Sequence, residues 1–124
     1  MFLVMFMSIY IHIPFCSSIC TYCDFCKVIY NRKYIDDYLD NLEKEIRLRY
    51  KMENVKSIYI GAGTPSCLED NELIKLFNIV KLFNVDENIE FTMECNVESI
   101  TEEKLKIMSN YGVNRISIGV ESFN

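Results

Sequence analysis

Apolar and polar residues alternate singly through Ser8–Ile13, with Ile9, Ile11 and Ile13 on one face and Tyr10 and His12 on the other. A period of two is that of a half-buried strand. From about residue 34 to residue 50 the period lengthens. Tyr34, Tyr38, Leu42 and Ile46 recur every fourth residue, and Ile35, Leu39 and Tyr50 widen the stripe. That spacing predicts an amphipathic helix. Its charges suit the helix dipole, with Asp36 and Asp37 early and Arg47, Arg49 and Lys51 late. Glu43 and Arg47 are placed as an i,i+4 ion pair.

The same rhythm repeats along the chain. Residues 55–60, 89–94 and 115–120 read as strands, and residues 69–83 read as a helix. A further helix starts at Thr101, a suitable N-cap, and stops at Gly112. Strand and helix in strict alternation predict an α/β fold of parallel βα units. Each strand keeps one apolar face and one polar or small face. Ile89, Phe91 and Met93, for example, oppose Glu90, Thr92 and Glu94. Strands covered by helices on both faces read instead as continuous apolar runs. The expected architecture is therefore the first part of a partial (β/α) barrel with a polar inner face. In such folds chemistry sits at the C-terminal ends of the strands. A small, complete four-stranded sheet is the alternative.

The chain has 124 residues, enough for at most one domain. No helix covers the fourth strand, so residues 1–124 are expected to be a fragment of a longer domain. The composition is globular, half apolar and a quarter charged. A net charge of −5 with no basic cluster argues against nucleic acid as partner. The apolar opening, residues 1–7, lacks a basic flank and a cleavage site and is too short to span a bilayer. It is expected to lead into the first strand. A cytoplasmic location without stable membrane insertion follows as the expectation. In that reducing compartment clustered cysteines hold metal or do redox chemistry.

Four of the six cysteines lie between the first strand and the first helix, at Cys16, Cys20, Cys23 and Cys26. Structural zinc favours two separated pairs. A bacterial ferredoxin run has another order of gaps and a proline after its last cysteine, where this chain has Lys27. The third reading is a [4Fe–4S] cluster on three thiolates with one iron open. Cys26 either closes that position or stands aside. Cys67 and Cys95 are isolated and read as small buried hydrophobes. His12, the single histidine, reads as a structural hydrogen-bonding residue.

The C-x3-C-x2-C spacing, with Tyr22 just before the last cysteine, resembles the signature of the radical S-adenosylmethionine (SAM) superfamily. Further segments narrow the resemblance: Tyr10-Ile11-His12-Ile13-Pro14-Phe15-Cys16, Tyr22-Cys23-Asp24-Phe25, Gly61-Ala62-Gly63-Thr64-Pro65-Ser66, and the run from Gly112 through Asn114-Arg115 to Val120. Together they are similar to the oxygen-independent coproporphyrinogen III oxidase family, and within it to the heme-chaperone branch.

The resemblance implies that Cys16, Cys20 and Cys23 hold the cluster and that SAM chelates its open iron. Tyr10, Tyr22, Ala62, Gly63 and Thr64 match positions at or near SAM, and Glu94 is placed for its amino or ribose groups. Two positions depart from the pattern: Ala62 stands where the family usually has glycine, and Glu121 where it usually has glutamine. An oxidase of this family carries an extra cysteine two positions after the third; here that place is Phe25, and Cys26 comes one residue later. The chaperone branch is therefore expected, with heme as ligand and a heme-accepting protein as partner. The oxidase, acting on a porphyrinogen, is the alternative, and a metal or redox module without SAM is a third.

Overall fold

The computed structural model describes residues 2–5, 8–14, 32–63 and 65–119. Among these residues five strands form one sheet in the order β1-β2-β3-β4-β5. They are β1 (Phe2–Met5), β2 (Ser8–Ile13), β3 (Asn54–Ala62), β4 (Asn84–Asn96) and β5 (Arg115–Gly119). The helices are α1 (Arg32–Arg49), α2 (Asp70–Val80) and α3 (Glu102–Asn110), with a 3-10 turn at Pro65–Cys67. β2 to β5 are parallel, as the alternation predicts. The opening segment is more than a lead-in: β1 pairs antiparallel with β2. A short apolar run has no period to separate strand from approach.

The apolar face carries the core. Ile9, Ile58 and Phe91 form one cross-strand row, and Ile11, Ile60 and Met93 the next. All six are buried, in one cluster with Ile35, Leu39, Leu42 and Ile46 of α1 and Leu73, Leu76 and Phe77 of α2. Tyr34 departs from its expected place in the stripe. It is 54% exposed, because the buried side of α1 centres on Ile35, Leu39, Leu42 and Ile46. The Glu43–Arg47 pair forms, at 2.9 Å. The Phe77 ring stacks on Tyr111 and meets Phe91 edge-on.

Loop chemistry sets the strand lengths. β4 begins five residues before its expected start, because Asn84 and Val85 already pair with Asn54 and Val55. The ladder then shifts register before Ser57 meets Glu90. Asp86 fills the irregularity, accepting from Asn54 Nδ2 and from the Asn88 N–H, both at 3.1 Å. Thr101 caps α3 by accepting the Lys104 N–H at 3.1 Å. Gly112, at φ +100, turns the chain out of that helix. Asn114 then stitches β5 to β4. Its Oδ1 accepts the Phe91 N–H at 2.9 Å, and its Nδ2 donates to the Ile89 carbonyl at 2.8 Å. Ile116 and Ile118 of β5 are 40% and 54% exposed, since no described helix lies over that strand.

Candidate functional site

The polar face of the sheet is built in rows by the parallel register. Ser8, Ser57 and Glu90 form the first row, and Tyr10, Tyr59, Thr92 and Arg115 the second. Further along, His12 pairs with Gly61, and Glu94 with Ser117. The rows run from the start of the strands toward their C-terminal ends. A cavity of about 340 Å³ lies over the lower rows, bordered by Ser57, Tyr59, Thr92 and Ser117. An ion pair between Arg115 and Glu90 closes its floor.

At the C-terminal rim the strands are tied together. The Gly63 N–H donates to the Ile13 carbonyl at 2.8 Å, joining the end of β2 to the turn after β3. Tyr38 of α1 donates its hydroxyl to the His12 carbonyl, so the helix anchors the strand that enters the cysteine segment. Tyr10 Oη lies 3.3 Å from His12 Nδ1, the hydrogen-bonding role expected of His12.

Glu94 is the centre of this rim. Its Oε2 accepts the Tyr59 hydroxyl at 2.8 Å, and its Oε1 accepts the Ala62 N–H at 2.7 Å. An ionised carboxylate offers about four lone-pair positions. Its two bonds to described residues use two, leaving capacity for a ligand's N–H or O–H donors. Ala62 presents its N–H by adopting φ 97, in the left-handed region. A glycine meets that demand without strain, which gives a physical reason for the glycine expected at this position. Gly61 serves differently: it leaves the space that Glu94 and the Tyr59 ring fill.

The tyrosines respond to this setting. Burial, then the Glu94 carboxylate, holds the Tyr10 phenol above its ordinary value. Tyr59 is raised by burial and by its hydrogen bond to Glu94, partly offset by a hydrogen bond with Ser117. Both stay protonated, and Tyr59 is thereby the phenol that donates to the Glu94 carboxylate.

Of the positions singled out in the sequence, the structure brings Ala62, Gly63 and Glu94 to one rim, with Tyr10 below it, stacked on Tyr59. Cys16, Cys20, Cys23 and Cys26, with Tyr22, Thr64 and Glu121, lie outside the described residues. Among the described residues no group of three or more His, Cys, Asp or Glu could hold a metal ion. Cys67 and Cys95 are buried, as expected of small hydrophobes. Tyr59 and Ser117 were not anticipated. Their signal was present in the alternation, which puts both on the polar face, but only the register sets them against Glu94.

The family model of the radical SAM superfamily matches residues 10–124. The chain belongs to the radical SAM superfamily. The radical SAM chain is 42% identical over 118 residues to the heme chaperone HemW of Lactococcus lactis, covering 94% of this chain and 31% of that protein. It is 32% identical over 123 residues to the oxygen-independent coproporphyrinogen III oxidase of Salmonella typhimurium, covering 95% and 27%. Among solved structures it superposes on the coproporphyrinogen III oxidase HemN of Escherichia coli, described as a radical SAM enzyme. That match has a TM-score of 0.78 and 32% identity, over 93% of this chain and 28% of the other. The radical SAM chain thus spans about a third of the length of these relatives. Among its described residues no helix is long and apolar enough to cross a membrane.

Proposed function

We propose that residues 1–124 form the N-terminal part of a radical SAM core in a heme-binding protein of the chaperone type. In this reading Cys16, Cys20 and Cys23 hold a [4Fe–4S] cluster. SAM lies on the rim formed by Tyr10, Tyr22, Ala62, Gly63, Thr64, Glu94 and Glu121. Heme is the cargo, received and passed to an acceptor protein.

The observation that carries the reading is the Glu94 carboxylate, oriented by Tyr59 and the Ala62 N–H with acceptor capacity to spare. It suits an adenosyl amino acid, whose ammonium and ribose hydroxyls are donors. The cysteine donor set suits the cluster, because soft thiolates select iron–sulfur centres. Held by these three thiolates, the cluster would supply one-electron reduction for radical chemistry on SAM. The protein's own residues have other tasks. Glu94 binds and orients, Ala62 and Gly63 let backbone approach the ligand, and Tyr10 and Tyr59 wall the rim with protonated phenols. An additional carboxylate at Glu121 needs water, a partner or a proton.

Phe25, where an oxidase of this family has cysteine, supports the chaperone type, as does the 42% identity to a heme chaperone. The oxidase is the second reading, and the 32% identity to a coproporphyrinogen III oxidase favours it. Anaerobic reconstitution tests the common ground: about four irons per chain are expected, lost on replacing Cys16, Cys20 or Cys23 and kept in Cys26→Ala. Uptake of zinc without iron overturns the cluster. A reduced cluster whose paramagnetic resonance spectrum ignores SAM points to a metal module without SAM. Heme titration against a coproporphyrinogen III oxidation assay, on the full reading frame, separates chaperone from oxidase.

A further inference from the structure

We propose that Tyr59 is a positioning residue for Glu94, setting the direction in which that carboxylate meets its ligand. The inference rests on the reading of Glu94 as a SAM contact and extends it to a residue on a different strand.

Four observations converge on Tyr59. Its hydroxyl donates to Glu94 Oε2 at 2.8 Å, and this hydrogen bond spans 35 residues of sequence. Its ring stacks on Tyr10, with centroids 6.1 Å apart and planes at 22°. Ser117 of β5 lines the same cavity beside it and lowers its pKa against the rise from burial. Gly61, two residues on, leaves the space its ring edge occupies: a Cβ there would stand 2.7 Å from Tyr59 Cε1. Strands β2 and β3 thus hold one phenol, with β5 bordering it, and that phenol fixes one oxygen of a carboxylate on β4. The Ala62 N–H takes the other oxygen. A carboxylate held at both oxygens cannot swing, so its remaining lone pairs point in one direction. Binding then spends less on ordering the side chain.

The test is a double-mutant cycle on SAM affinity, in the reconstituted full-length protein. Tyr59→Phe keeps the ring and the stack and removes only the hydroxyl. Hydrogen bonds to charged groups support an expected loss of about tenfold in affinity. In the Glu94→Gln background the same substitution should cost less than about twofold, because a residue acting through Glu94 has nothing left to position. A purely structural role would weaken binding equally in both backgrounds. Running the cycle with 5′-methylthioadenosine, which lacks the amino-acid group, locates the contact. A penalty for both ligands assigns Glu94 to the ribose, and a penalty for SAM alone assigns it to the amino group. Either result supports the positioning role.

Independent, additive losses overturn the proposal, as does unchanged affinity in Tyr59→Phe while Glu94→Gln binds weakly. Unchanged affinity in Glu94→Gln overturns the SAM contact itself, and the positioning role with it. Should Tyr59→Phe fail to fold, Ser117→Ala removes the β5 hydroxyl that lines the cavity beside the same phenol. A loss of about threefold, absent in Glu94→Gln, is then expected, and equal loss in both backgrounds overturns the proposal.

Discussion

A β-carbon on Gly61 would stand 2.4 Å from Glu94 Oε1 and 2.9 Å from its Cδ. Gly61 and Glu94 sit on neighbouring strands, and the absent side chain of one makes room for the carboxylate of the other. Gly61→Ala must therefore move Glu94 or the backbone of β3. The expected outcome is a destabilisation of about 1–3 kcal/mol with a loss of SAM binding. Denaturant unfolding and a SAM titration of the same preparation measure the two together. Unchanged SAM affinity would mean that Glu94's present position does not matter to the ligand.

Ala62 invites the opposite change. At φ 97 its β-carbon is strained. Ala62→Gly relieves that strain at some entropic cost, so a net gain of about 1 kcal/mol is expected, or roughly 4 °C in melting temperature. A thermal melt checks it; a lower melting temperature would show that the turn is not strained in solution.

Tyr38 makes stability sensitive to alkali. Burial, then the Glu45 carboxylate and Tyr10, pushes its phenol up to about 12. In the unfolded chain a tyrosine ionises near pH 10. Between those values the unfolded state releases its proton first. The contribution is thus fully present below about pH 10 and is lost as pH rises toward about 12. Urea midpoints measured from pH 9 to 12 should fall more steeply in the parent than in Tyr38→Phe. Parallel curves would contradict the assignment.

Asn114→Ala removes two side-chain bonds and leaves the Phe91 N–H and the Ile89 carbonyl without them. A cost of about 2 kcal/mol is expected. Amide exchange should quicken first at Phe91. Protection retained there would show that the Asn114 side chain does not bear on the β4–β5 junction.

Much of this architecture was legible because hydrophobic burial is periodic. Ile9, Ile11 and Ile13 announce β2 by alternation, and Thr101 and Gly112 mark the ends of α3 by their capping chemistry. The errors fall where periodicity is silent. β1 is too short to show a period, and the early start of β4 depends on Asp86 and Asn54 meeting across 32 residues. Tyr34 failed for a related reason: a four-residue spacing drifts around a helix of 3.6 residues per turn.

The sequence by itself determined the parallel βα order, the polar inner face and the cysteine spacing. Each is written in local residue choice, and the superfamily resemblance rests on the same words. It also put Glu94 on the polar face near the end of its strand. Only the tertiary structure decided what holds Glu94: the Tyr59 hydroxyl, the Ala62 N–H at a positive φ, and the space above Gly61. Those partners lie more than thirty residues away in the chain. They meet because strand register, set by apolar packing on the opposite face, carries them to the same rim.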